Sequence, residues 1–137
     1  MKCEVRGDLL IVEFSSLDDL HSTLSERLVK TETVGVKISD YTGLNYSKKV
    51  LKKHDVKGLL LKLVERNNVE YVIGYVKGDV DTYEHEIRHY KYYSDKDYRK
   101  SCDEMFKDRK ELISIVRGKG YRENVILDEV QAHFNTY

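Results

Sequence analysis

Asp81-Thr82-Tyr83-Glu84-His85-Glu86-Ile87-Arg88-His89-Tyr90 is the stretch on which the reading of this chain turns. Its middle, His85 to His89, spells H-E-x-x-H. On a helix, residues four apart share a face, so His85 and His89 can reach a common point and hold a divalent metal. Glu86 is turned by one residue, close enough to act on a water at that metal without being a ligand. The pattern requires a helix at this place, a third ligand and a groove for a substrate.

Just upstream, Val69 to Val76 is rich in β-branched and aromatic residues and is bounded by Asn67-Asn68 and Gly78. It is the clearest strand in the chain. Asp81-Thr82-Tyr83-Glu84 then reads as a capping-box-like start, with Asp81 at the N-cap and an acid three residues on. The motif therefore falls in the first turns of a helix that follows a strand and a short loop.

Towards the N-terminus, Lys2 to Arg6 and Asp8 to Phe14 read as two strands around a Gly7-Asp8 turn. Ser15 or Ser16 caps a helix that Leu17, Leu20, Leu24 and Leu28 carry to about Lys30. Val34 to Ile38 alternates like a short strand, and Asp40 to Asn45 reads as a polar loop. Ser47 caps a further helix ending near Asn67-Asn68, with a break expected near His54-Asp55 because Gly58 weakens its middle.

Beyond the motif, Ser94 or Asp95 starts a helix whose apolar positions run from Tyr98 through Cys102, Phe106 and Leu112 to Val116. Gly118-Lys119-Gly120 ends it. A terminal helix over Asn124 to Tyr137 carries Leu127, Val130 and Phe134 as its stripe. With no repeat or linker, the 137 residues read as one α+β domain. An N-terminal mixed sheet with helices precedes a C-terminal helical part that carries the metal site.

Composition narrows the function classes. A formal net charge of zero points neither to nucleic acid nor to an acidic membrane surface. Two distant cysteines, Cys3 and Cys102, match no metal-ligand spacing and read as reduced thiols. No apolar run approaches membrane-spanning length, so the expectation is a soluble, cytoplasmic protein. Lys48, Lys49, Lys52, Lys53, Lys57 and Lys62 read as a solvated helix face without interleaved aromatics.

In the terminal helix, Asp128-Glu129-Val130-Gln131-Ala132 offers the missing carboxylate. Here the chain resembles the zincin metallopeptidases, and within them the gluzincin type, in which a later glutamate helix supplies the third ligand. Glu129 and Ala132 match its E-x-x-A pattern, and the small Ala132 lets the two helices approach closely. The resemblance covers the C-terminal half, from Val69 onward. Tyr90 departs from it, since many members carry a small residue after the second histidine.

The resemblance implies a zincin-like single domain over residues 1–137. It implies Zn2+ held by His85, His89 and Glu129, with Asp128 the alternative third ligand. It also implies hydrolysis of a peptide or protein substrate by a zinc-activated water, with Glu86 as general base. His133 and Tyr137, on the same helix face as Glu129, are candidates to stabilise the oxyanion. Two other readings stand beside this one: a zinc-binding regulatory protein without proteolytic activity, and a nucleic-acid-binding module using the lysine helix. Tyr90, Tyr92 and Tyr93 read as packing around the metal helix, and His21 and His54 as surface residues.

Overall fold

A computed structural model describes residues 1–135. Strands β1 (Lys2–Arg6) and β2 (Leu9–Phe14) form an antiparallel hairpin, and Gly7 turns it at φ +60°. Two short helices, α1 (Leu17–His21) and α2 (Glu26–Val29), lead to strand β3 (Gly43–Ser47). Helices α3 (Lys48–His54) and α4 (Leu59–Arg66) precede strand β4 (Tyr71–Val76). The rest is helical: α5 (Val80–Ser94), α6 (Lys96–Phe106), α7 (Lys110–Gly118) and α8 (Ile126–Phe134).

The sheet order is β1-β2-β4-β3, with β2 and β4 parallel and both outer pairings antiparallel. Strand alternation divides its residues between two faces. Leu10, Val12, Phe14, Val72, Leu44 and Tyr46 pack with the leucines and valines of α1–α4. Leu9, Ile11, Tyr71 and Ile73 pack on the other side against Tyr83, Ile87 and Tyr90 of α5. A third cluster, Cys102, Phe106, Val116, Ile126 and Val130, joins α6, α7 and α8. The metal-motif helix therefore lies between the sheet and the helical C-terminal part.

The α+β class, the hairpin, the strand before the motif, the motif helix and the break before Gly58 are as expected. Several expectations are corrected. The helix expected from Ser16 to about Lys30 is two pieces. Ser22 Oγ and Thr23 Oγ1 turn back onto the carbonyls of Asp19 and Leu20, and Ser25 caps a new helix at Leu28 N. Val34 to Ile38 is no strand: Gly35 adopts φ +75°, and only Thr33 bridges, to Tyr121. The loop expected over Asp40 to Asn45 instead runs into β3, an outer strand of the sheet.

Helix α5 is capped by Asp79 rather than Asp81: the Asp79 carboxylate accepts from Thr82 N and from the Thr82 hydroxyl. The helix expected from Asp95 to Gly118 breaks at Lys107–Arg109, although its apolar stripe continues because both halves face the same cluster. His21 and His54 are half-buried rather than surface residues, and His21 Nε2 bonds the Tyr41 carbonyl at 2.6 Å. Lys49, Lys52, Lys53, Lys57 and Lys62 are exposed, as a solvated face requires. Among the described residues no helix is long and apolar enough to cross a membrane. Cys3 is exposed and Cys102 buried, both unpaired as disulfides.

Candidate metal centre

Two helices build the centre. From α5 come His85 and His89, one turn apart, and Glu86, which lies between them and strand β3. From α8, Asp128, Glu129 and His133 meet them. Arg88 Nε donates to the Ala132 carbonyl at 3.0 Å, and Gln131 Nε2 donates to the Arg88 carbonyl at 3.1 Å. Ala132, fully buried, presents only a methyl group at this helix contact.

His85 Nε2 and His89 Nε2 lie 3.2 Å apart. Glu129 Oε1 is 3.1 Å from His89 Nε2, and Glu129 Oε2 is 3.7 Å from His85 Nε2. Ligands on a tetrahedral ion at about 2.0–2.1 Å stand about 3.3 Å from one another, close to the His85–His89 spacing, while Glu129 meets the two histidines through different oxygens. The donor groups that converge are His85 with Glu129 and His133, and His85 with Glu86 and His89. His85, Glu86, His89, Glu129 and His133 form a largely buried His/Glu cluster able to hold a metal ion.

The supporting contacts select which atoms face that point. Asp128 Oδ1 lies 2.9 Å from His89 Nδ1. A carboxylate only accepts, so Nδ1 carries a proton in either charge state and Nε2 is the nitrogen turned inward, the arrangement that orients metal-binding histidines. Gln131 Nε2 donates to the same Asp128 oxygen at 3.0 Å, and Tyr98 OH donates to Gln131 Oε1 at 2.8 Å. Asp128 thus sits on the outer side of His89, and Glu129 on the inner side.

Glu86 is fixed by one oxygen only. Tyr71 OH donates to Asn45 Oδ1 at 2.6 Å, and Asn45 Nδ2 donates to Glu86 Oε2 at 2.8 Å. Oε1 remains turned towards His85, 4.0 Å from its Nε2. Gly43, two residues before Asn45 on the same strand face, marks how closely β3 passes over α5. A Cβ there would overlap Thr82 Cγ2 and stand 3.2 Å from Glu86 Cγ.

Electrostatics mark the cluster as short of positive charge. Burial raises Glu86 to a pKa of about 7; nearby His89 opposes the rise and Glu129 adds to it. Burial and the neighbouring His89 charge push His85 down to about 2, leaving its imidazole neutral with a free lone pair. Burial also disfavours charge on His89, but Glu129 and Asp128 outweigh it and hold its pKa well above the usual histidine range. Among the described residues, Glu129 Oε2 is buried without a hydrogen-bond partner. The charge on His89 offsets only part of this, and a buried carboxylate oxygen without a donor is costly unless a further cation joins it. The donor set of imidazole nitrogens and carboxylate oxygens is one that a first-row divalent ion accepts.

His133 Nδ1 lies 2.8 Å from the Glu129 carbonyl, which can only accept, so Nδ1 donates and the neutral ring keeps a lone pair at Nε2. Burial lowers its pKa further from the charged form. It lies edge-on to His85 at 4.6 Å between ring centroids, and with His85 and Glu129 it forms a group that could hold a metal ion. Tyr137, the other oxyanion candidate, lies outside the described residues.

Two clefts open onto the cluster. One, about 550 Å³, is lined by His85, Glu86, His133 and Tyr121; the other, about 920 Å³, by His89, Asp128, Tyr92 and Tyr93. Glu32, Asn45 and Glu129 line both. Tyr90 and Tyr93 also pack on Tyr71, and Tyr92 OH donates to Asp103 at 2.6 Å, so the three tyrosines do brace the metal helix.

Asn45, Tyr71, Tyr121 and Glu32 were not anticipated from the sequence, and Asp128 only as a rival ligand. Glu32 accepts from Tyr46 OH at 3.0 Å, and burial, reinforced by Glu129, raises it to about 8. No linear pattern marks these residues, because Glu32, Asn45, Tyr71 and Tyr121 come from four separate segments. Comparison of the chain with known protein families, with characterised proteins and with solved structures returns no match.

Proposed function

We propose that this chain is a zinc-dependent peptidase of zincin-like fold, with His85, His89 and Glu129 as the metal ligands and Glu86 as general base. The observation that carries the reading is the split Glu86 carboxylate: Asn45 anchors Oε2, while Oε1 stays free beside His85. A site that only held a metal for stability would need no carboxylate so placed. Zinc, when bound, supplies a water acidified towards neutrality and polarises the substrate carbonyl.

The chain's own groups do the rest. Glu86, its Oε1 beside His85, is placed to accept a proton and to return it to the leaving amine. Asp128 holds His89 in the tautomer that binds metal. The Tyr121 phenol, which burial keeps protonated, is a hydroxyl lining the His85-side cleft that could stabilise the oxyanion. An extended peptide adds to the outer strand β3, whose Asn45 borders both clefts. A cytoplasmic setting accords with its free thiols.

The test is hydrolysis of a mixed pool of internally quenched peptides by the zinc-loaded protein and by Glu86→Gln. The reading requires cleavage by the wild type, and at least about 10³-fold less by a variant that keeps its zinc. Equal rates in both, or no cleavage of any pool by zinc-loaded wild type, would count against it.

A further inference from the structure

The 920 Å³ cleft on the His89 side carries four cations: Arg27, Lys30, Arg99 and Arg122. The arginines are oriented by backbone carbonyls. Arg99 Nη1 donates to the carbonyls of Tyr92 and Tyr93, both at 3.1 Å. Arg122 Nε donates to the Lys30 carbonyl at 2.6 Å, and Arg27 Nη2 to the Lys53 carbonyl at 3.3 Å. A carbonyl fixes a guanidinium without neutralising it. Among the described residues none of the four pairs with a carboxylate.

Acids in the same cleft do little to cancel this charge. Asp128 and Glu129 are engaged with His89, and Glu32 accepts from Tyr46 OH at 3.0 Å. Glu26 is the remaining one. The smaller cleft on the His85 side has the opposite character, with Asp40 and Asp81 against Lys119. A chain of zero net charge has thus gathered unpaired cations on one side of its site.

We propose that the His89-side cleft binds an acidic stretch of the substrate polypeptide, so that the preferred chain carries Asp or Glu residues to one side of the bond cleaved. The specificity rests on the peptidase reading, but the binding does not. A polypeptide is favoured over a nucleic acid because the cations are confined to a cleft beside β3, with Asn45, Tyr46 and Ser47 on its wall, instead of spread over a face that could follow a phosphate backbone.

The experiment uses zinc-loaded Glu86→Gln and fluorescence anisotropy. The probes are a labelled peptide of four acidic residues flanked by alanines, its four-lysine counterpart, and a labelled oligothymidine. The acidic peptide should bind about tenfold or more tighter than the lysine peptide and weaken as salt rises from 0.05 to 0.5 M. Arg27→Glu with Lys30→Glu, both at exposed positions, should remove most of that preference while zinc content stays constant. Arg122→Glu, tested separately, should act in the same direction.

Equal binding of the two peptides, or a preference that survives both variants, would overturn the proposal, as would tighter binding of the oligothymidine. Acidic-peptide binding without any cleavage by the wild type would sink the peptidase reading and leave this one standing. Cleavage with no charge preference would do the reverse.

Discussion

Replacing Asp128 by Ala tests the division of labour between the two adjacent acids of α8. Asp128 is 2.9 Å from His89 Nδ1 and also accepts from Gln131, while Glu129 faces His89 Nε2. A hydrogen bond to a charged group contributes about 1.5–3 kcal/mol. The Asp128 side chain is 24% exposed, so solvent screening places the effect in the lower part of that range. Zinc affinity should therefore fall about 10–100-fold, the scale of a lost partner behind a metal-bound imidazole.

A second effect opposes the first. Asp128 also raises the pKa of His89, and the His89 proton competes with the metal. Removing Asp128 relieves that competition wherever His89 is protonated in the metal-free protein. The loss of affinity should be smaller at pH 6 than at pH 9. Competition with a chromophoric zinc chelator at both pH values, with Glu129→Ala alongside, measures it. Affinity within about threefold of wild type at pH 9 would refute the orienting role. Zinc binding abolished by Asp128→Ala but spared by Glu129→Ala would show that the two acids had been assigned the wrong way round.

Other consequences can be checked together. Asn45→Ala frees Glu86 and removes a hydrogen bond that lowers its pKa, so the acid limb of the pH–rate profile should move to higher pH and kcat fall about tenfold; an unmoved limb counts against the anchor. Glu32 has a folded pKa of about 8 against an ordinary 4.5, so its contribution to stability is present below about 4.5 and lost as pH rises through about 8. Chemical denaturation of the metal-free protein should show that decline, on the order of 1–3 kcal/mol, and Glu32→Gln should flatten it. Gly43→Ala drives a methyl into Thr82 and Glu86, and should cost about 1–3 kcal/mol of stability and lower activity, whereas a neutral result would mean β3 stands further from α5.

The sequence carried the metal helix because its evidence is local: two histidines one turn apart behind a β-branched strand. It carried Glu129 as a candidate but left Asp128 as its rival. Neighbours on a helix differ by about 100° in direction, and only tertiary packing decides which one faces His89 Nε2. Strand β3 was hidden because its inward residues are only Leu44 and Tyr46, while Gly43 and Asn45 on the other face look like loop residues. Yet that face carries the anchor for Glu86. The helix breaks at Ser22–Ser25 and Lys107–Arg109 were missed for another reason: the apolar stripe continues across each break, and a stripe reports the buried face rather than chain continuity.

Metal stoichiometry of the purified chain is the most direct measurement, by elemental analysis after dialysis against zinc and then against metal-free buffer. The account predicts about one zinc per chain in the wild type and in Glu86→Gln, lost in both His89→Ala and Glu129→Gln. A folded wild-type protein that retains no zinc, or one whose zinc survives both ligand variants, would contradict it.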